Sequence, residues 1–443
     1  MRKKVILTAI MGCLIWAAGA QERVWTLDDC MRYAVENSPK VKQKQHTHNT
    51  YKAEYRQSLA SFLPSVTAQT EAGWGFGRSV DDSYNYINTT NFSNSYGLNA
   101  SLPIFNGGQL INNWRLAKVN RQLGMTNVQK QKDDLAILIM SAYVDVLYYQ
   151  GTVTYAEEKL EESLQTALQT ERMVELGLKG KAELAQVEAQ VAADDYFRIN
   201  QRNLYDVAVL TLKNYMNYPA EEPLSIDALD EVNAALLSDD DAQEIFAYAQ
   251  GSNPTALQAE YQVDAARMQH LIEKGKLFPT ISFWGGVYTD YYKDLKATDP
   301  GASFSNQFKN KRRESLGFSL SLPLFSRLTK VTSIRRARNN MRIAQEQQTE
   351  ILRELQTAIE KAVLEREGLL KETIQMEKKK DADAYAYQVT LRKFEEGLMS
   401  PLDVQTSSNL LIQSKANLLL KRLTYYMKCR EVEYYKGKSL IND

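Results

Sequence analysis

The chain has 443 residues in which 54 Lys+Arg balance 54 Asp+Glu, so no net field draws it toward nucleic acid and the nucleic-acid-binding classes lose their electrostatic basis. Its few cysteines cannot form a disulfide scaffold. Cys30 and Cys429 lie near the two ends of the mature chain, which leaves one disulfide, if those ends meet, or two free thiols.

From the N-terminus, Arg2-Lys3-Lys4 precedes an apolar run from Val5 to Ala18 that ends in Ala18-Gly19-Ala20. This is the layout of a secretory signal peptide over 1–20, with the mature protein starting near Gln21. Ile10-Met11-Gly12-Cys13 is a poor lipoprotein box, because apolar sequence continues past Cys13. No later stretch reads as a membrane-spanning helix of about 20 apolar residues.

The mature chain then repeats itself. Thr26-Leu27-Asp28-Asp29 predicts a capping box that opens a first helix, and Pro39 opens a second that runs to about Phe62 before Pro64 stops it. From Val66 to Phe76 the residues alternate, with Val66, Ala68, Trp74 and Phe76 on one face and Thr67, Gln69, Glu71, Gly73 and Gly75 on the other. This predicts a strand over about 65–78, and a second one at about 95–105 presents Tyr96, Leu98, Ala100 and Leu102 on one face. Asp81 to Asn94 between them is polar and predicts a loop.

From about Gly108 to Leu176 there is no proline and the spacing stays helical, which at 1.5 Å per residue gives a rod of about 100 Å. Leu116, Val119 and Leu123 keep the three-and-four spacing of coiled-coil packing. Gly177 is placed to end the rod as a left-handed cap, and a returning helix over about Ala182 to Met216 makes a hairpin. Tyr218 to Asp240 is a linker rich in proline and acid, expected to form a small mixed segment at the waist of the rod.

The second half follows the same order. Asn253-Pro254 answers Ser38-Pro39, and Phe278-Pro279 answers Leu63-Pro64. Strands are predicted at about 280–292 and 314–325, a second rod over about Leu328 to Glu396 ending at Gly397, and a returning helix over about Pro401 to Tyr435. Ser101-Leu102-Pro103-Ile104-Phe105 recurs as Ser321-Leu322-Pro323-Leu324-Phe325, about 220 residues later. The division is therefore a first structural repeat over 21–217, a linker over 218–240 and a second repeat over 241–443.

The alternating strands fit a half-buried sheet of a soluble protein, or lipid-facing strands of the length a tilted membrane strand needs, about ten residues. In lipid an open sheet edge is not tolerated, so four strands would have to be pooled with those of other copies. The loop from Lys293 to Arg313, with Lys309-Asn310-Lys311-Arg312-Arg313, is either a solvated loop or a contact for lipid phosphates.

No catalytic constellation competes. His46 and His48, two apart on a helix, do not share a face, His270 stands alone, and the glycines at 73, 75 and 77 lie inside a strand rather than at a nucleotide-binding turn. No cofactor or metal site is expected.

The Ser-Leu-Pro-aliphatic-Phe stretch after the second strand of each half, the Pro near the start of each half and the Gly-Leu at each hairpin tip resemble the TolC family of bacterial outer-membrane efflux channels. The resemblance covers essentially the mature chain. It implies a mainly α fold with a membrane β-barrel: long antiparallel helical hairpins forming a periplasmic tunnel, and four strands per chain given to a trimeric twelve-stranded barrel. It implies a homotrimer in the outer membrane of a Gram-negative bacterium, in contact with outer-membrane lipid. Its implied role is that of a passive duct, not an enzyme, coupled through a periplasmic adaptor to an inner-membrane efflux pump or type I secretion system.

The resemblance also points to the tips. Asp403 and Glu183 match the acids that narrow the periplasmic entrance in this family, where three copies form a carboxylate ring that draws cations. Read locally, Ser400-Pro401-Leu402-Asp403 is instead an N-cap with Pro at N1 and an acid at N3. Thr406 stands where the family's best-known member has a second gate acid, and Met399 where it has a latch arginine. The turns Gly177-Leu178-Lys179 and Gly397-Leu398-Met399-Ser400 are the expected adaptor contacts. The alternative is a soluble periplasmic coiled-coil adaptor or scaffold, which would carry no lipid-facing strands.

Overall fold

The computed structural model describes residues 24–80, 84–229, 240–297 and 301–441. The signal segment lies outside these residues, as does 230–239 of the linker. The described residues fall into two compact units, one within the bounds Met1–Gln45, Thr126–Leu257 and Ile351–Asp443, the other within His46–Met125 and Gln258–Glu350.

The elements in chain order are β1 (Val24–Trp25), α1 (Leu27–Asn37), α2 (Pro39–Ala60), β2 (Ser65–Val80), β3 (Tyr86–Asn106), α3 (Gln109–Glu175), α4 (Lys181–Met216) and β4 (Ser225–Ile226). There follow α5 (Ala242–Ser252), α6 (Pro254–Gly275), β5 (Thr280–Asp294), α7 (Phe304–Asn310), β6 (Arg313–Ser321), α8 (Thr329–Glu395) and α9 (Pro401–Tyr435). The two rods α3 and α8 are 67 residues each, about 100 Å at the α-helical rise. Thr26 caps α1 through the expected box, accepting from the Asp29 N–H while the Asp29 carboxylate accepts from Thr26.

In the unit of His46–Met125 and Gln258–Glu350, one antiparallel sheet runs β2-β3-β5-β6. The register sets Trp74 against Phe92, Ala68 against Leu98, Leu98 against Val287, and Phe283 against Phe318, so the apolar alternation is continuous across all four strands. Leu316, Phe318 and Leu320 on this face are 70–75% exposed, as lipid-facing residues of a barrel wall are in an isolated chain.

Two expectations about the strands need correction. The residues from Tyr86 to Asn94 belong to β3, not to a loop, because Tyr86 to Asn94 pair with Ala72 to Val80. The second is that β6 ends at Ser321 rather than near 325. The equivalent β3 continues past Pro103 to Asn106, with a register shift between Pro103 and Phe105 against β5. Past Ser101 β3 no longer pairs with β2 but still has Ser282, Ile281 and Thr280 of β5 opposite it, which hold it extended through the proline. Ser321 already faces Thr280, the first residue of β5, so β6 has no partner left beyond it, and Pro323 could not donate to one. At the turn into α3, Gly107 has φ +65° and any Cβ there would lie 2.2 Å from the Gly275 carbonyl.

In the other unit the core lies where α1, α3, α4 and the linker meet. Leu135, Ile139, Met140, Tyr143 and Val146 of α3 pack with Cys30, Met31, Leu212 and Met216. This stretch accounts for an apolar window of α3 long enough to cross a membrane by length and composition, contrary to expectation; half of that window is buried inside the protein. The linker contributes a feature the sequence does not announce: β4 pairs in parallel with β1, Trp25 opposite Ile226. Tyr143, fully buried, fixes that pair by donating to the Asp227 carbonyl at 2.6 Å while lying 3.0 Å from that of Trp25. Cys30 is buried and Cys429 half-buried, and both are free thiols, so the disulfide alternative is not realised. Burial raises the Cys429 pKa, which makes its thiol less reactive.

Candidate functional site: the two hairpin tips

The two hairpin tips belong to the same unit and are built alike. At the end of α3, Gly177 has φ +73°, its N–H donates to the Val174 carbonyl at 3.0 Å, and the Leu178 N–H donates to Met173 at 2.8 Å. At the end of α8, Gly397 has φ +77°, with the corresponding bonds to Phe394 at 2.9 Å and Lys393 at 2.8 Å. Both are Schellman caps, in which glycine takes the left-handed position and satisfies carbonyls that the helix end leaves open. Such a cap ordinarily tucks the following apolar residue against the last turn. Here Leu178 and Leu398 stay 72% and 71% exposed.

The other tip residues divide. Gly177, Gly397 and Ser400 are exposed, whereas Lys179 and Met399 turn partly inward. The Lys179 ammonium lies 4.3 Å from the centroid of the buried Phe394 ring, a cation–π contact that joins one tip to the other. Met399 packs on the cluster of Tyr387, Phe394, Val404 and Leu411.

Of the predicted entrance acids, Asp403 is exposed and closes a capping box. Its carboxylate accepts from the Ser400 hydroxyl at 2.7 Å and from the Ser400 N–H at 3.0 Å, with Pro401 in the first turn. The hydroxyl and backbone hydrogen bonds from Ser400 hold its carboxyl below the usual carboxylate range. Thr406, also exposed and three residues on, shares its helix face, and its hydroxyl donates to the Leu402 carbonyl at 2.8 Å. Glu183, in the first turn of α4, is half-buried, and its Oε2 is buried with no hydrogen-bond partner. The structure thus realises the local capping role of Asp403 in full, and places both Asp403 and Glu183 in the first turn of the helix that returns from a tip.

Behind the tips lies a polar layer that sequence reading missed. Asp194, 2% exposed, accepts from Ser163 at 2.8 Å and Gln190 at 2.7 Å and pairs with Lys159 at 2.7 Å. Tyr387 of α8 donates to Glu162 of α3, and Gln405 of α9 to Gln190 of α4, around a cavity of about 40 Å³. Asp194 follows the buried Val187 by seven residues, two helical turns along one face. A charge on an apolar stripe was the available signal. No group of three or more His, Cys, Asp or Glu in metal-binding arrangement occurs among the described residues.

A sheet with an apolar outer face and two open edges, in a chain that also builds two long helical hairpins, defines one subunit of an oligomeric membrane channel. The chain matches the outer membrane efflux protein family over residues 31–218 and 247–430, and it belongs to that family. A sequence comparison with curated proteins finds no match. Among solved structures it is similar to VceC of Vibrio cholerae, at 14% identity and TM-score 0.78, covering 94% of this chain and 96% of that one. The Campylobacter jejuni CmeC outer membrane channel gives 14% identity and TM-score 0.79, covering 94% and 87%. The open state of the Neisseria gonorrhoeae MtrE outer membrane channel gives 18% and 0.73, covering 94% and 90%.

The protein is an outer-membrane efflux channel with its helices in the periplasm, and it is a passive duct rather than an enzyme. The family assembles as trimers and works in tripartite systems with an adaptor and a pump. Trimerisation resolves the open edges of β2 and β6, since three copies of a four-stranded sheet close one barrel. Nothing favours the soluble adaptor alternative.

Proposed function

We propose that the hairpin tips are both the periplasmic entrance of this duct and its adaptor-docking surface. The observation that carries the reading is the pair of identical caps that each leave a leucine, Leu178 and Leu398, exposed where such caps normally tuck it in. Two apolar side chains at equivalent turns, repeated in each of three copies, make a ring of exposed apolar contacts at one end of a periplasmic tunnel. The coiled-coil hairpin of an adaptor is an occupant of matching size and chemistry.

Asp403 and Thr406, exposed on one face of α9, line the entrance in this reading, and the carboxylate of Glu183 lies further from the axis. Gly177, Gly397 and Ser400 shape the turns, while Lys179 and Met399 hold the tips together from within. Efflux measured in cells carrying the cognate pump tests the docking surface. Leu178→Glu with Leu398→Glu is expected to abolish efflux and site-specific cross-linking to the adaptor while the trimer still assembles. Unchanged efflux and cross-linking in an assembled trimer would overturn the docking role.

A further inference from the structure

The sheet ends where β2 joins β3 and β5 joins β6 lie away from α2, α3, α6 and α8, and with the helices periplasmic they face the outer leaflet. The register decides which side chains look outward there. Tyr96 pairs with Thr289 and Phe92 with Lys293, so Tyr96, Phe92, Thr289, Tyr291 and Lys293 share the apolar face with Leu98 and Val287. Asp290 is on the opposite, polar face.

Helix α7 lies on the apolar face. The Phe304 and Phe308 rings are centred 6.3 and 5.4 Å from Tyr96, Phe304 lies 5.2 Å from Tyr291, and Thr289 Oγ1 donates to the Phe308 carbonyl at 2.8 Å. The ladder between β5 and β6 stops at Tyr288 and Arg313. Beyond it the Gln307 side chain closes the edge, accepting from the Tyr292 N–H at 3.1 Å and donating to its carbonyl at 2.9 Å. Although packed on other rings, Phe304 and Phe308 remain 47% and 40% exposed. Aromatic side chains with this half-exposed placement on a barrel's outer face sit at the level of lipid headgroups.

The charges at this level are not balanced on the outward side. Lys311 and Arg313 turn to Asp290, at 3.0 and 3.7 Å, and so toward the polar face. Arg312 pairs with Glu314, which the register places opposite Val287 on the apolar face. Lys293 and Lys309 are exposed and have no carboxylate partner among the described residues. Among the described residues around α7, these three cations therefore face one carboxylate on the outward side, directly above an apolar wall. A cation cluster over an apolar surface matches an amphiphile with anionic headgroup and acyl chains. The outer leaflet of a Gram-negative outer membrane consists of such an amphiphile, a phosphorylated glycolipid.

We propose that α7 with Lys293, Lys309 and Arg312 is a binding site for the phosphorylated glycolipid of the outer leaflet. The phosphates rest on the three cations, and the acyl chains lie along the strand face below Phe304 and Phe308.

The test titrates the detergent-purified trimer with lipid A and with lipid A stripped of its phosphates, read by native mass spectrometry. The phosphorylated form is expected to bind at least about tenfold more tightly. The triple variant Lys293→Gln, Lys309→Gln, Arg312→Gln should lose that preference, and Lys311→Gln with Arg313→Gln should keep it. Millimolar inorganic phosphate should not displace the lipid. Equal binding of the two lipids by wild type, an undiminished preference in the assembled triple variant, or displacement by inorganic phosphate would each overturn the proposal. If the triple variant does not assemble, the comparison of the two lipids on wild type decides alone.

Discussion

Tyr387 donates its phenolic proton to Glu162, with the hydroxyl 2.8 Å from Oε2, and so ties the second rod to the first across the polar layer behind the tips. Tyr387 is 7% exposed, and burial together with the Glu162 hydrogen bond pushes its pKa well above that of free tyrosine. The hydroxyl therefore remains a donor at any physiological pH. Tyr387→Phe keeps the ring's packing and leaves Glu162 without that donor, which is expected to destabilise the hairpin pair by about 1–3 kcal/mol. The check is the thermal dissociation midpoint of the purified trimer, and Glu162→Gln, which keeps an acceptor, should fall between wild type and Tyr387→Phe. Equal midpoints for wild type and Tyr387→Phe would show that the bond contributes nothing net.

Two glycines of the repeated motifs should behave differently although both have positive φ. At Gly107 a Cβ would strike the Gly275 carbonyl at 2.2 Å, whereas at Gly397 nothing lies within 4 Å. Gly107→Ala is expected to cost about 3 kcal/mol or more, because backbone strain and a clash with main chain add. Gly397→Asn, with a side chain that tolerates the left-handed region, should cost less than about 1 kcal/mol. The yield of heat-resistant trimer in the outer membrane separates the two. Comparable yields would mean that the β3–α3 turn relaxes more freely than its geometry allows.

What was legible in the sequence was whatever depends on local periodicity or on glycine and proline. The rods, their glycine caps, the capping boxes at Thr26 and Ser400 and the apolar alternation of the strands are properties of short windows, and the rods, glycine caps and strands each occur in both halves. The linker strand β4 was not legible: Ser225 and Ile226 form a strand only because β1, some two hundred residues away, supplies the partner. Nor was the start of β3, where Asn88, Thr89 and Thr90 have loop-like composition and are held by the ladder to β2. Helix α7 leaves no signal in the sequence because its seven residues are too few to show a period, and its place is set by rings from two strands. Lys179 and Met399 read as exposed tip residues, since nothing local indicates that Phe394 and its neighbours would draw them inward.

The buried charges around Asp240 give a third expectation. Its carboxylate pairs with Arg366, both side chains under a tenth exposed, and with the Lys436 ammonium at 2.5 Å. Removing the acid takes a buried carboxylate from Arg366, while Lys436 keeps Glu433 at 3.2 Å, so Asp240→Ala should cost about 3 kcal/mol. Arg366→Met leaves Asp240 neutralised by Lys436 and should cost less, and the double variant should recover part of the loss. Thermal unfolding of the three variants measures the coupling, and strict additivity would show that the pair is not energetically linked.

The gate at the tips can be decided by the direction in which Asp403 titrates. In the single chain, hydrogen bonds from the Ser400 hydroxyl and N–H lower its pKa from the ordinary 3.8. A group so depressed contributes its stabilisation fully above the ordinary value and loses it as pH falls through the lowered one. If Asp403 serves only the helix end, acidification to pH 4 should leave conductance and selectivity unchanged. If three copies converge on the axis, mutual repulsion opposes the Ser400 bonds and raises at least one apparent pKa, and cations gather as counter-ions. The reconstituted channel should then be cation-selective at neutral pH and lose selectivity while the pH is still above that of a free carboxylate. Trivalent cations added from the periplasmic side should block it, and Asp403→Asn should abolish the block. Thr406→Asp, adding a carboxylate three residues along the same face, should strengthen it. Single-channel recordings in which wild type and Asp403→Asn share selectivity, trivalent block and pH profile would leave Asp403 as a helix cap and remove it from the entrance.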